Sequence, residues 1–201
     1  MDERDTVLRQ VLARRGYAGY ASGVYSWLPL PAGGFTGYLA TLSGHRRPRV
    51  RADRRRIAEA GFEVGMEPLS TELLWSLAEL ETSLLTKHGG QWSPAQSESI
   101  FARILDELGD DAVVSTARAD GRLRGFALFL RHRDRWFGHR GGFDYAALGS
   151  LPLYFEVAFY NPVEMAAAAG VAEIHYGTGS TQAKQSRGCL LTGQLAYQLI
   201  I

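Results

Sequence analysis

Two apolar segments that flank a tight turn constrain the fold of this chain more than any other feature. Residues 112–118 and 122–130 have the composition of β-strands, and Ala119-Asp120-Gly121 lies between them. A glycine at this position favours a hairpin turn because it adopts the positive φ that the turn requires. The segment therefore predicts an antiparallel hairpin, and residues 135–139 predict a third strand of the same meander.

The segment that follows the meander decides how the sheet continues. Residues 153–169 predict a helix that ends at Gly170, and residues 171–176 predict another strand. A helix between two strands of one sheet implies that the two strands are parallel. The sequence therefore predicts the α/β class, with a mixed, mostly antiparallel sheet flanked by helices. Pro162 lies inside the predicted helix and predicts a kink or a break there.

The remaining elements follow from helical spacing and from glycine and proline breaks. Helices are predicted at residues 2–15, 35–61 (interrupted near Gly44 and Pro48), 71–87 and 94–108. Strands are predicted at residues 62–66 and 190–201, and loops at Gly141-Gly142 and at residues 177–188. Residues 16–26 are interpreted as a connector or a short strand. We therefore expect an N-terminal helical appendage, residues 1–26, and a single domain, residues 27–201.

The composition predicts a folded domain in a reducing compartment. Apolar residues make up 46% of the chain and charged residues 21%, values typical of a packed core. The single cysteine, Cys189, cannot form an internal disulfide. The residues that follow Met1 are charged, so no signal peptide is expected, and the apolar runs are too short for a membrane span. The expected location is the cytoplasm.

A cluster of arginines interrupts an otherwise balanced charge distribution. Residues 45–56 contain seven arginines and one acid, Asp53, a net charge of +6 that leaves the rest of the chain at −5 against an overall +1. Four of them form a stripe with spacings of three or four residues: Arg47, Arg51, Arg54 and Arg55. The stripe predicts an anionic partner or, equally, a solvated helix face. An RNA-binding module is a further interpretation, although no aromatic residues are interleaved for base stacking.

Two stretches of sequence resemble a known family. The first is Tyr38-Leu39-Ala40-Thr41-Leu42-Ser43, followed by Arg46-Arg47, Arg54-Arg55-Arg56 and Ala60-Gly61. The second runs from Tyr154-Phe155-Glu156 through Phe159-Tyr160 and Ala169-Gly170-Val171 to Gly177-Thr178-Gly179, Lys184 and Arg187-Gly188. With Trp136-Phe137-Gly138 between them, these motifs resemble the Fem-like, peptidoglycan-biosynthesis branch of the GNAT-fold acyltransferases over about residues 27–189.

The resemblance implies a GNAT-like fold and the transfer of acyl or aminoacyl groups to amines. Fem-type enzymes take the aminoacyl group from a charged tRNA, whereas ordinary GNAT enzymes use acyl-coenzyme A. The glycine-rich run typical of coenzyme A binding is not matched at residues 148–152, which weakens that donor. Fem-type chains usually carry two such domains, and residues 1–26 stand where a first lobe would be. That departure favours a homodimer or a related GNAT-fold partner chain.

The resemblance also assigns roles to residues of the second stretch. Lys184 occupies the position of a lysine that stabilises the oxyanion, and an exposed lysine in a mobile loop is the structural alternative. Glu156 is the expected base, with His175 and Tyr176 as alternatives, and Tyr154 is placed to meet the donor. The donor or anion site includes Gly177, Gly179, Arg187 and Gly188 beside the four arginines of the stripe. Arg187 is alternatively a surface ion pair, and Glu156 a solvated or paired charge.

The five histidines (His45, His88, His132, His139 and His175) are scattered, so neither a metal nor a tightly bound cofactor is expected. The leading hypothesis is a transferase that forms an amide on a small-molecule amine or a peptidoglycan precursor. The alternative is a non-catalytic or half-site subunit that completes a partner of the same fold.

Overall fold

A computed structural model describes residues 2–87 and 89–199 of the chain. Within them, seven strands form one sheet in the order β2-β3-β4-β5-β6-β1-β7. The strands are β1 (Tyr17–Pro29), β2 (Glu63–Pro68), β3 (Ala112–Ala119), β4 (Arg122–His132), β5 (Arg135–Phe143), β6 (Glu173–Gly177) and β7 (Leu190–Leu199). Strands β5 and β6 are parallel, and the other neighbouring pairs are antiparallel. The predicted mixed, mostly antiparallel sheet is confirmed.

Helices cover both faces of this sheet. They are α1 (Thr6–Arg14), α2 (Gly34–Thr41), α3 (Arg46–Glu59), α4 (Leu74–Lys87), α5 (Pro94–Leu108), α6 (Tyr145–Leu148), α7 (Leu153–Phe155), α8 (Asn161–Ala168) and α9 (Thr181–Gln185). Helices α4 and α5 enclose one core around Leu77, Phe101 and Phe126. Helices α2, α3, α7 and α8 enclose a larger core on the other face, which includes Tyr38 and Phe159. None of the helices described is long and apolar enough to cross a bilayer.

The β3–β4 hairpin and helix α5 form as their local sequences predict. Asp120 and Gly121 both have positive φ, 52° and 69°, as a two-residue hairpin turn of this type requires. Ser93 caps α5 in a reciprocal capping box with Gln96, and Pro94 occupies the first turn, where its missing N–H costs nothing. In these elements, local chemistry and tertiary packing favour the same structure.

The predicted loop at Gly141-Gly142 is wrong, because both residues lie inside β5. Helix α4 crosses β5 so closely that a β-carbon on Gly142 would lie 2.4 Å from the backbone of Leu80 and Glu81. Gly142 is therefore a packing residue that admits the helix to the sheet. A glycine pair in a sequence does not by itself distinguish this close approach from a turn.

The predicted kink in the helix at residues 153–169 is confirmed. A π-helical turn, Glu156–Tyr160, separates α7 from α8, and Pro162 lies in the first turn of α8. Proline has no N–H to donate to the preceding turn, and sharp helix kinks occur at prolines and at π turns. The side-chain amide of Asn161 donates to the carbonyl of Gly65 and the hydroxyl of Ser115, both at 2.8 Å, and anchors α8 to β2 and β3.

The N-terminal segment departs most from its prediction. Residues 17–29 form the thirteen-residue strand β1, which pairs with β7 along its length and with β6 at its end, rather than a connector or a short strand. The expected division between residues 26 and 27 lies inside this strand. The second helix prediction also needs correction: the chain breaks between α2 and α3, around Gly44, whereas Pro48 lies within the first turn of α3. The last two residues of the predicted C-terminal strand lie outside the described residues.

Candidate functional site

Strands β5 and β6 separate after only three paired residues. Arg135–Phe137 pair with Glu173–His175, and β5 then continues to Phe143 while β6 ends at Gly177. On the other side of β5, Leu128 pairs with Arg140 and Phe129 with Gly138, so His139 is the extra residue of a β-bulge. A bulge bends its strand, and the divergence opens a cleft at the carboxyl end of β6.

A cavity of about 330 Å³, here called the β5–β6 cleft, occupies this opening. Its walls are mostly apolar and aromatic, including Phe129, Phe143, Ala158 and Tyr176. The polar side chains on its wall come from β5, from α7 and from the segment after β6, which includes α9: His139, Arg140, Tyr154, Thr178, Ser180 and Lys184. An apolar enclosure with a few converging polar groups is the usual form of a small-molecule site.

Lys184 is buried, at 5% exposure, on the wall of the β5–β6 cleft. Its ammonium donates to three backbone carbonyls, those of Tyr176 at 2.6 Å, Thr178 at 2.9 Å and Gly177 at 3.2 Å. Burial lowers the pKa of this lysine. The alternative of an exposed lysine in a mobile loop is therefore wrong: Lys184 holds the end of β6 and places a positive charge beside the cleft.

The loop that carries Lys184 depends on residues with positive φ. Gly177 and Gly179 have φ values of 67° and 76°, and Ser180, which precedes α9, also lies in the left-handed region. Gly188 combines a φ of 89° with a close approach, since a β-carbon there would lie 3.3 Å from Leu42. These glycines shape the turn, and Gly177 lines the cavity described below.

Tyr154 lines the β5–β6 cleft, with its ring packed edge-on against Phe143 and Phe159. Burial raises the pKa of its phenol, so the hydroxyl keeps its proton. Tyr176 is more deeply buried; its ring stacks on Phe159, and its hydroxyl has no hydrogen-bond partner among the described residues. Burial raises the pKa of Tyr176 well above 10, so this alternative base keeps its proton at neutral pH.

Arg187 is buried at 5% exposure and does not line the β5–β6 cleft, so the alternative of a surface ion pair is wrong. Its guanidinium stacks on Phe155 at 3.4 Å and donates to the hydroxyl of Tyr160 at 3.2 Å. The buried carboxylate of Asp53 lies 4.0 Å away and accepts from the same tyrosine. This network joins α3, α7, the π turn and the loop after α9.

Glu156 lies on the segment formed by α7 and the π turn, on the side that faces away from the β5–β6 cleft and Lys184. It is buried at 2% exposure; Arg54 donates to one carboxylate oxygen at 3.1 Å, and the other oxygen has no partner among the described residues. Burial raises the pKa of Glu156 to about 7, although the charge of Arg54 opposes the shift. The structure therefore separates Glu156, the base expected from the sequence, from the cleft that contains Lys184 and Tyr154.

Glu156 lines a separate groove of about 570 Å³, here called the arginine groove. Arg54 crosses it, binding Glu156 and, at 2.8 Å, Glu164. Arg51 and Arg55 lie exposed on its rim with no ion pair among the described residues. Arg47 lies elsewhere and donates to the carbonyls of Leu42 and Ala40, which caps the end of α2. The predicted stripe thus divides into one helix-capping residue and three residues of one groove.

A further cavity, of about 420 Å³, adjoins the β5–β6 cleft and is here called the Tyr25 cavity. It shares Gly138 and His139 with the cleft, and its walls include a stack of three rings, Tyr25, His175 and Phe137. The ring of His175 hydrogen-bonds the carboxylate of Glu173 at 2.7 Å.

At the edge of the Tyr25 cavity, Asp2 accepts hydrogen bonds from Tyr25 and Arg4, and its pKa is lowered to about 2 by these bonds.

The sequence analysis did not predict Tyr25 or His139 as site residues. The three tyrosines interleaved with glycines in residues 17–25 were the available signal for Tyr25. Nothing local marks His139, because a bulge depends on the partner strand.

No group of three potential metal ligands occurs in the parts of the chain that the structure describes. Cys189 is buried, and burial raises its pKa to about 12, so it is a thiol rather than a nucleophilic thiolate.

The FemAB-like family, described as peptidoglycan biosynthesis/recognition, matches residues 5–200. The chain belongs to the FemAB-like family. Solved structures agree with this assignment at the level of the fold, which is GNAT-like. No curated protein sequence matches this FemAB-like chain significantly.

Three solved structures illustrate the likeness. FemX matches with a TM-score of 0.74 at 13% identity, covering 100% of this chain and 70% of FemX. The C-terminal domain of a putative lysylphosphatidylglycerol synthetase from Agrobacterium fabrum matches with a TM-score of 0.70 at 14% identity, covering 96% and 65%. A tandem GNAT protein from the clavulanic acid biosynthesis pathway matches with a TM-score of 0.52 at 12% identity, covering 96% and 59%. The FemAB-like chain thus spans less than two thirds of the last two.

Proposed function

We propose that this chain is an acyl- or aminoacyl-transferase that forms an amide bond on a small or cell-envelope amine. The observation that carries the proposal is the meeting of the β5–β6 cleft and the Tyr25 cavity at Gly138 and His139. A transferase brings donor and acceptor to one point, and holding both in position supplies a large part of its rate enhancement. The family description and the GNAT-like fold support the same class.

In the proposed reaction, the acyl carbonyl of the donor lies in the β5–β6 cleft beside Lys184. The acceptor nitrogen attacks the carbonyl carbon, which forms the C–N bond and an oxyanion. Collapse of this intermediate expels the thiolate of coenzyme A or the ribose oxygen of a tRNA and leaves the amide. The charge of Lys184 stabilises the oxyanion, and we expect the oxyanion to replace its longest contact, the 3.2 Å bond to Gly177.

The attacking amine loses a proton, and we propose that His139 accepts it. This side chain is partly exposed to solvent and lines both cavities. Its pKa is lowered by partial burial and by the neighbouring charge of Arg140, so the imidazole is neutral and can accept a proton at physiological pH. Glu156 cannot take this role from the arginine groove.

The Tyr25 cavity suits the acceptor amine. The rings of Tyr25 and Phe137 offer aromatic faces, and Asp2, which Arg4 also contacts, is ionised at neutral pH. The cation on the wall, Arg135, is paired with Glu173. Aromatic faces and a carboxylate are the groups that bind an ammonium ion. Since the family is described as peptidoglycan biosynthesis/recognition, an amine of a peptidoglycan precursor is the first acceptor to test, followed by small amines.

The decisive experiment measures amide formation with acetyl-coenzyme A and with charged tRNA as donors, each against a peptidoglycan-precursor peptide and a small amine. Transfer from either donor supports the proposal and identifies the donor class. Folded protein that transfers from neither donor to either acceptor contradicts it.

The site assignment is tested by Lys184→Met, with Lys87→Met as the control because the chain has two lysines. Loss of the ammonium removes oxyanion stabilisation, so we expect kcat to fall about 100-fold with a smaller change in KM. Lys87 lies over the ring of Tyr145, outside the cleft, and its variant is expected to retain wild-type kcat. Because Lys184 also holds the loop, circular dichroism is recorded for both variants. Unchanged kcat in a folded Lys184→Met variant would reject the assignment.

A second function, binding of a partner of the same fold, is favoured by the surface of α1. Val7, Leu8 and Val11 are exposed at 72%, 41% and 40%, whereas the polar side of the helix, with Arg9 and Gln10, faces the sheet. An amphipathic helix normally buries its apolar side, so this one presents a surface for association. Acidic residues precede α1 and arginines end it, so an antiparallel α1 pair from two copies joins opposite charges.

A further inference from the structure

The arginine groove lies outside the proposed reaction and has the features of a second ligand site. It is separated from the β5–β6 cleft by the segment that contains α7 and the π turn: Tyr154 and Ala158 line the cleft, and Glu156 lines the groove. The function proposed above uses none of its residues. Three arginines of α3, Arg51, Arg54 and Arg55, line this one concave surface.

The positive charge of this groove is incompletely neutralised. Arg51 and Arg55 are one helical turn apart, both exposed and without an ion pair among the described residues. Like charges at this spacing destabilise a helix, and a bound anion would relieve the repulsion. Arg54, between them, already spans Glu156 and Glu164, so the two rim arginines are the ones free to bind a ligand.

The floor of the groove is apolar. This floor comprises Phe35, over whose ring Arg54 lies, and Leu39 from α2, Ile57 from α3, Phe62 just before β2, and Val64 in β2. A free inorganic anion would use the arginines and leave this surface unoccupied. A charged rim above an apolar floor fits a ligand that carries one anionic group on an apolar body.

We propose that the arginine groove binds an anionic amphiphile, whose sulfate, phosphate or carboxylate group contacts Arg51 and Arg55 and whose apolar part lies on Phe35, Leu39, Phe62 and Val64.

Glu156 makes this site sensitive to pH. The charged groups around its carboxyl are Arg54 and Asp53 from α3 and Glu164 from α8. When Glu156 is protonated, Arg54 loses its buried counter-charge and the groove becomes more positive. Because the pKa of this carboxyl is about 7, anion binding is expected to weaken as pH rises through neutrality.

Calorimetric titration of the intact chain with octyl sulfate tests the proposal, since this probe does not change its charge near neutral pH. Inorganic sulfate reports the anionic group alone, and octyl glucoside reports the apolar chain alone. We expect octyl sulfate to bind at least about 10-fold more tightly than inorganic sulfate, and octyl glucoside to show no saturable binding. Equal binding of octyl sulfate and octyl glucoside would overturn the proposal.

Matched double variants locate the site. Arg51→Gln with Arg55→Gln is expected to weaken octyl sulfate binding at least about 10-fold, because both charged contacts are lost. Arg122→Gln with Arg133→Gln removes the same charge from two exposed positions outside the groove and is expected to change binding less than about 2-fold. Equal weakening by the two pairs would show a non-specific charge effect and reject the site.

The role of Glu156 is tested by Glu156→Gln, which retains every other titratable group. Wild-type protein is expected to bind octyl sulfate several-fold more tightly at about pH 6 than at about pH 8. In the variant, this difference is expected to shrink, with binding at the higher pH close to the tight value. An undiminished pH dependence in Glu156→Gln would contradict the coupling.

Discussion

Glu156 illustrates, at the scale of single residues, how burial changes the chemistry of a side chain. Its pKa is about 7 in the folded chain against an ordinary 4.5. Between these values, the folded state holds a proton that the unfolded state has lost, so the stability contributed by this group falls as pH rises from 4.5 to 7. At about 1.4 kcal/mol per pKa unit, the loss amounts to about 3 kcal/mol above neutrality.

Glu156→Gln removes this titration and retains the shape of the side chain. We expect its free energy of unfolding to match wild type near pH 5 and to exceed it by about 1–3 kcal/mol near pH 8. Urea unfolding at both pH values measures the difference, with Glu164→Gln, an exposed partner of the same arginine, as the control. A variant less stable than wild type at the higher pH would show that the ion pair with Arg54 outweighs the cost of burial.

At the scale of single residues, a sequence motif predicts which residues have a role but not which of them share a cavity. The second of the two stretches that resemble the family predicted Tyr154, Glu156, Lys184 and Arg187 in one site. The structure brings Tyr154 and Lys184 to one cleft, buries Arg187 against the ring of Phe155, and turns Glu156 to the arginine groove. On a helix, side chains two positions apart, such as those of Tyr154 and Glu156, point in different directions. The π turn that follows also rotates the later side chains about the helix axis. The order of residues in the sequence therefore could not assign them to one cavity.

At the scale of helices and strands, a glycine inside a strand allows a helix to pack closely against the sheet, as Gly142 does for α4. Gly142→Ala places a β-carbon 2.4 Å from the backbone of α4 and forces α4 away from β5. We expect a loss of about 3 kcal/mol in the free energy of unfolding, measured by urea denaturation. Gly65→Ala in β2 is the matched control, because nothing lies within 4 Å of its β-carbon, and its expected effect is within about 0.5 kcal/mol. Similar losses in both variants would contradict the packing role.

Elements were predictable where local signals were complete. The β3–β4 hairpin has its turn residues, α5 has its cap, and the helix at residues 153–168 has the proline that explains its π turn. Strands β1 and β5 were misassigned over part of their length because their glycines resemble breaks. Strand β1 is stabilised by pairing with β7, more than 160 residues away in the chain, and no local pattern reports such a pairing.

At the scale of the whole molecule, the exposed apolar side of α1 predicts self-association of the chain. If α1 pairs with α1 of a second copy, wild-type chain forms a dimer in sedimentation equilibrium. Val7→Glu with Val11→Glu is expected to yield a folded monomer, since neither side chain is buried within the chain. Leu108→Glu with Met165→Glu changes two apolar residues outside α1 that are also exposed and is expected to retain the dimer. A monomeric wild-type chain across the concentration range would reject this surface as a self-association site.

The sequence alone determined the fold class, the family resemblance and the parallel pair in an otherwise antiparallel sheet, because these depend on the order of elements and on the handful of turn, cap and proline signals between them. Tertiary structure alone decided the bulge at His139, the cleft between β5 and β6, the three carbonyls that surround Lys184 and the separation of Glu156 from them. These features arise from which strands pair and where they part. Such contacts join residues far apart in the chain, and burial and pKa follow from them rather than from the neighbours in sequence.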